Sequence, residues 1–128
     1  MKRRFLYFLT VLLSLVVFSC GKYNKILKSS DYELKFTKAI EYYNKGNYTA
    51  ALTLFEELIP VFKGTEKAEQ VYYYYSYCNY YLGDYSLAGF HFRTFSRAFH
   101  NSSHAEECAY MNAYCYFLSS PRYSLDQS

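Results

Sequence analysis

The sequence contains no tryptophan, two prolines, five glycines and four cysteines. Each scarcity argues against a class of function. Without tryptophan, the chain lacks the ring on which sugar-binding proteins normally stack their ligands. Once Cys20 is set apart, Cys78, Cys108 and Cys115 remain, an odd count that completes no disulfide framework. These three fall inside helical patterns and are expected as buried thiols. A bridge between the parallel first helices of a solenoid would have too far to reach. The few glycines form no phosphate-cradling loop, and neither a nucleophile elbow nor a carboxylate dyad of defined spacing is present. His100, His104 and Cys108 recur every four residues, as metal ligands on one helix would. A break at 101–103 and the lack of a fourth ligand argue against that reading. No metal, no cofactor and no enzyme activity are expected.

Long apolar runs are also missing. Phe5 to Phe18 is apolar apart from Thr10 and Ser14, too short to span a bilayer comfortably, and it follows the basic Met1-Lys2-Arg3-Arg4. Residues 1–19 therefore read as a secretory signal. Val17-Phe18-Ser19-Cys20 resembles the lipobox of bacterial lipoproteins, in which the cysteine receives diacylglycerol and an N-acyl chain. Cys20 is the expected lipid anchor, and a pair of acyl chains holds a protein stably on a membrane. Gly21 stands where an aspartate would favour inner-membrane retention, so the periplasmic face of the outer membrane is the expected location. Without Lys2, Arg3 and Arg4, eleven basic residues face eleven acidic ones, and a nucleic-acid partner is not suggested. Lys22, Lys25 and Lys28 make a mildly basic tether, read as a solvated linker over residues 20–29, with contact to anionic headgroups the alternative.

Aromatic rings and helical periodicity are abundant. Gly46-Asn47-Tyr48 and, thirty-seven residues later, Gly83-Asp84-Tyr85 each separate two helical patterns, and each is followed by Ala at the third position after the tyrosine. The unit is a pair of antiparallel helices with a period near the ~34 residues of tetratricopeptide repeats. The fold class is all-α, a tetratricopeptide-like solenoid of antiparallel helix hairpins over residues 30–128, about two and a half repeats with the third incomplete.

The first helix is expected to begin at a capping box, Ser30 to Glu33, and to carry Tyr32, Phe36, Ile40 and Tyr43 on one side. The second has the clearest stripe, Tyr48, Ala51, Leu52, Phe55, Leu58, Ile59 and Phe62, with a kink or stop near Pro60. The third, about residues 66–82, holds tyrosines around its whole circumference. The fourth starts on Asp84 and buries Tyr85, Ala88, Phe92, Phe95 and Phe99, ending near Asn101. A second capping box, Ser103 to Glu106, opens a fifth helix through Tyr110, Ala113, Tyr114 and Phe117. This last helix has no partner in the sequence. Its apolar face is expected to stay open, as it would in a fragment.

Taken in order, the lipobox, Gly46-Asn47-Tyr48-Thr49-Ala50-Ala51-Leu52, Gly64-Thr65-Glu66-Lys67-Ala68-Glu69, Gly83-Asp84-Tyr85 and Ser120-Pro121-Arg122-Tyr123-Ser124-Leu125-Asp126-Gln127 resemble the BamD family. That family comprises tetratricopeptide lipoproteins of the outer-membrane β-barrel assembly machine (the BAM complex). The last motif is the more specific one, and the likeness covers the N-terminal half of the family's pattern. The resemblance implies a non-enzymatic subunit that recognises unfolded outer-membrane proteins and scaffolds the barrel-forming subunit and the other subunits. It further implies that aromatic-ended strands of the substrate are received on the N-terminal repeats. Repeat register then puts Phe36, Ile40 and Tyr43 with Tyr73, Tyr77 and Tyr80 along a concave aromatic groove, with Asn44, Lys45 and Tyr81 at its mouth. For the first repeat a packing role is an equal reading. The rival functions are another tetratricopeptide scaffold lipoprotein of the envelope and a glycan-binding uptake lipoprotein.

Overall fold

A computed structural model describes residues 21–121, together with Tyr7. The rest of the signal segment, Cys20 and residues 122–128, which hold most of the Ser120 to Gln127 motif, lie outside the described residues. Helix α1 covers residues 21–27, followed by α2 (Tyr32–Asn44), α3 (Tyr48–Phe62), α4 (Lys67–Tyr81), α5 (Tyr85–Ala98) and α6 (Ala105–Ser119). There is no strand among the described residues, and no helix among them is long and apolar enough to cross a membrane.

Successive long helices pack on each other, and α2 also touches α4. Phe36, early in α2, meets Phe62 at the end of α3, while Tyr43 meets Tyr48 across the turn, so the pair is antiparallel. Tyr72 against Phe99 and Tyr80 against Tyr85 show the same for α4 and α5. First helices of neighbouring repeats run side by side. Glu33 pairs with Lys67, the Tyr73 hydroxyl donates to Glu107, and the rings of Tyr80 and Tyr114 meet, each pair thirty-four residues apart.

The two glycine turns are built alike. Gly46 and Gly83 have φ of 75° and 83°, a conformation that costs any residue with a Cβ. Each lets the next N–H reach back five residues, Asn47 to the Tyr42 carbonyl at 2.9 Å and Asp84 to the Asn79 carbonyl at 3.0 Å. The same two residues then cap the following helix, their side chains accepting from the amides of Ala50 and Leu87. One short polar residue closes one helix and opens the next.

Three local expectations are corrected. The cap of α2 is Asp31 rather than Ser30: its carboxylate accepts from the Leu34 amide at 2.9 Å, and Ser29 caps Asp31 in turn. An anion is favoured there by the helix dipole, and Glu33 is left to reach Lys67. At α6 Ser103 caps nothing. Ser102 accepts from the His104 amide and donates to Glu69 at 2.6 Å, which closes the turn one residue earlier. Pro60 does not end α3, which runs on to Phe62. The bond it removes would have ended on the carbonyl of Glu56, an exposed residue within reach of water.

Two apolar clusters fill the stack. The first joins Phe36 and Ala39 of α2, Leu54, Phe55 and Leu58 of α3, and Val71, Tyr75 and Cys78 of α4. The second joins Tyr77 of α4 with Ala88, Phe92 and Phe95 of α5 and Cys108, Met111 and Cys115 of α6. Helix α4 is therefore buried on two sides, which accounts for its unbroken tyrosines. Its polar core residues are satisfied locally, Ser76 donating to the Tyr72 carbonyl and Asn79 to that of Tyr75. Each fully buried Leu or Phe contributes about 1.5–3 kcal/mol.

The stretch read as a linker is structured from Gly21 onward. Tyr23, Ile26 and Leu27 of α1 pack on the first cluster. Lys35, whose position in the repeat is ordinarily apolar, is 4 % exposed and donates to the Leu27 carbonyl at 2.8 Å and to Glu57. A buried ammonium with two acceptors thus ties α1, α2 and α3 together.

Candidate functional site

A continuous set of aromatic rings crosses the glycine-turn end of the hairpins. Tyr48, opening α3, stacks on Tyr81, closing α4, with centroids 4.5 Å apart and planes 17° from parallel. Tyr43 touches both, at 5.6 Å and 6.1 Å, and meets Tyr74 at 4.8 Å. Tyr80 continues the ladder from Tyr81 to Tyr85 and Tyr114, and Tyr114 lies parallel to Tyr110 and close to parallel with Phe117. Each such pair adds about 0.5–1.5 kcal/mol beyond its buried area, so the rings support one another as a shaped surface. Tyr81, Tyr110 and Phe117 are 49 %, 65 % and 73 % exposed.

The hydroxyls of Tyr43, Tyr73 and Tyr77 are held in the neutral form. Burial, followed by the neighbouring Tyr81, pushes the Tyr43 hydroxyl far above its ordinary value. Burial and the Glu107 carboxylate do the same for Tyr77 and Tyr73. Both tyrosines donate to one oxygen of Glu107, Tyr73 at 3.0 Å, while His104 Nδ1 lies 3.3 Å from the other. Burial alone would raise the Glu107 carboxyl, but these hydrogen bonds outweigh it and hold the group below the usual carboxylate range.

The residues singled out from sequence divide accordingly. Tyr43, Tyr80 and Tyr81 belong to the ladder. Tyr73 is half-buried and holds Glu107, and Tyr77, though in contact with Tyr81, is buried against Phe92. Phe36 is a core residue facing Phe62, with the Lys67 ammonium 5.2 Å from its ring, and Ile40 packs on the same cluster. Asn44 is exposed at the end of α2, and Lys45 is drawn to Glu41 at 2.6 Å beside α1. The rings of Tyr73 and Tyr77 also meet Tyr74, Tyr80 and Tyr81, so the second-repeat residues of the expected groove adjoin the ladder, while Phe36 from the first repeat is packed in the core. Tyr48, Tyr85, Tyr110, Tyr114, Phe117 and Glu107 were not singled out as site residues. The thirty-four-residue offset, applied to Tyr73 and Tyr80, points to Glu107 and Tyr114.

His104 rests against Tyr73 at 4.4 Å, and no cluster of three metal-ligating side chains forms among the described residues. Cys78, Cys108 and Cys115 are free and buried; burial pushes the first two up to about 12 and raises the third.

The sequence model of YfiO, an outer membrane lipoprotein, matches residues 29–126. The chain belongs to that family. A comparison with curated proteins finds no match. Membership of the YfiO family makes the chain a protein of the cell envelope, and the matched region contains α2 to α6 and the whole ladder. Cys20 and α1 precede the region matched to YfiO.

Proposed function

We propose that the chain is a non-enzymatic lipoprotein of the periplasmic face of the outer membrane, acylated at Cys20. In this reading it is a subunit of the β-barrel assembly machine that receives aromatic segments of unfolded outer-membrane proteins and scaffolds the barrel-forming subunit. The observation that carries the reading is the ladder, a preformed row of rings in which Tyr81, Tyr110 and Phe117 remain open. Tyrosine suits such a partner, since its face buries apolar side chains while its hydroxyl stays available to peptide backbone. Rings already fixed by their neighbours lose little freedom on binding.

The test is titration of the folded chain with a peptide that ends in an aromatic residue, patterned on a barrel's last strand. Tyr81→Ala and Tyr110→Ala, both at exposed positions, are each expected to weaken binding about tenfold, as an interface ring worth about 1.4 kcal/mol does. Unchanged affinity in both variants, with helicity retained, rejects the ladder as the receiving surface. Affinity capture through the anchored chain is expected to recover a large barrel protein. Recovery of a sugar transporter instead would favour the glycan reading.

A further inference from the structure

The docking of α1 creates a second surface, chemically unlike the ladder. The Tyr23 hydroxyl donates to the Ala50 carbonyl at 3.4 Å, its ring meets Tyr42 edge-on at 5.6 Å, and the Leu27 carbonyl is held by Lys35. Between α1 and α2 these contacts leave an open cleft of about 1220 Å³. Five lysines and one acid line it: Lys22, Lys25 and Lys28 on one side, Lys38, Lys45 and Glu41 on the other. Glu41 is engaged by Lys38 and Lys45, each at 2.6 Å, and those two hydrogen bonds hold its carboxyl down to about 2. Lys22, Lys25 and Lys28 form no ion pair among the described residues. Ile26, Leu34 and Tyr42 supply an apolar strip beside them. A polar anion with an attached apolar body fits such a lining, since lysine stems lie along apolar surface while their ammonium groups reach out.

We propose that this cleft is a membrane-contact site that takes the phosphate groups of anionic phospholipids, so that α1 and α2 lie against the bilayer. The proposal rests on acylation of Cys20, because Gly21, the next residue, lines the cleft, and an acyl chain on Cys20 brings the bilayer surface to its edge. The lipid anchor and the basic cleft are then two parts of one attachment. The anchor tethers the chain, and the cleft sets how the helical stack is held relative to the membrane. A single point of attachment would leave that orientation free.

The full chain, isolated from membranes as the cell processes it, is reconstituted in vesicles of phosphatidylcholine alone or mixed with phosphatidylglycerol. Lysine acetylation by a water-soluble reagent is then read residue by residue. Lys22, Lys25 and Lys28 are expected to react at least about fivefold more slowly in the anionic vesicles, the factor for one lysine at such a surface, with exposed Lys63 unchanged. At 1 M salt, where charges are screened beyond about 3 Å, the protection should vanish. Lys38 and Lys45, which line the same cleft, are expected to be slowed as well, and Lys22→Gln/Lys25→Gln/Lys28→Gln should remove that difference between the two vesicle types. Equal reactivity in both vesicle types overturns the proposal, as does equal protection by inorganic phosphate over neutral vesicles. Flotation with phosphatidylcholine reports the anchor separately. A chain that floats without protection refutes the cleft and leaves the anchor standing. One that floats and is protected only with phosphatidylglycerol refutes the anchor, and with it the joint attachment of anchor and cleft. One that floats with neither refutes both.

Discussion

Glu107 is the acceptor that joins two first helices, so its contribution to stability can be isolated with Tyr77. The Tyr77 hydroxyl is buried and donates to a carboxylate oxygen, a class of bond that contributes about 1.5–3 kcal/mol where water is excluded. The Glu107 side chain is 43 % exposed, however, and water competes for it. That lowers the expected loss for Tyr77→Phe to about 1 kcal/mol. Glu107→Ala strands two hydroxyls, one of them buried, and is expected to cost about 2 kcal/mol. If the bond is the reason, the double variant loses about 1 kcal/mol less than the sum of the singles. Urea unfolding followed by helix ellipticity measures this, provided the transition is two-state, and 1 kcal/mol moves the midpoint by about 0.7–1 M for a chain of this size. A coupling inside about 0.3–0.5 kcal/mol would refute the reasoning. The pH sign is also determined. Because the folded carboxyl is depressed, its contribution is present above the ordinary glutamate pKa and is lost as pH falls through the folded value. Glu107→Gln should therefore flatten the acid side of the stability profile.

The turn at Gly83 is expected to lose about 1–2 kcal/mol in Gly83→Ala, since no neighbour lies within 4 Å and only the positive φ opposes the methyl; a denaturation midpoint measures it. Lys35→Ala should cost about 2 kcal/mol and raise amide exchange across residues 21–27 before the other helices, because it removes the ammonium holding the Leu27 carbonyl. Phe92→Ala, at a fully buried ring between α4 and α5, should cost about 3–5 kcal/mol in the same unfolding assay. The thiols of Cys78 and Cys108, pushed up to about 12 by burial, should ignore a thiol reagent at neutral pH until denaturant opens the fold.

By itself the sequence determined the class of fold and its punctuation. Three- and four-residue spacing specifies helices, and a glycine followed by Asn or Asp specifies both the end of one helix and the start of the next, since these are local effects of backbone and side chain. Capping was legible only where a single acceptor was on offer. At Ser29 to Asp31 and at Ser102 to His104 several short polar residues compete; at the first the helix dipole favours the anionic Asp31, and at the second Ser102 is held by Glu69 far along the chain. The tertiary structure alone decided which tyrosines are core. Tyr73, Tyr75 and Tyr77 alternate along one run inside α4, yet Tyr75 and Tyr77 are buried between neighbouring helices while Tyr73 is only half-buried. It also decided that α1 docks, because three apolar residues at helical spacing within seven are too few to say what they pack on, while the acceptor offered to a buried Lys35 made the position binding. Periodicity states how much apolar surface a helix carries. Only the packing of the other helices determines which part of that surface is left for a partner.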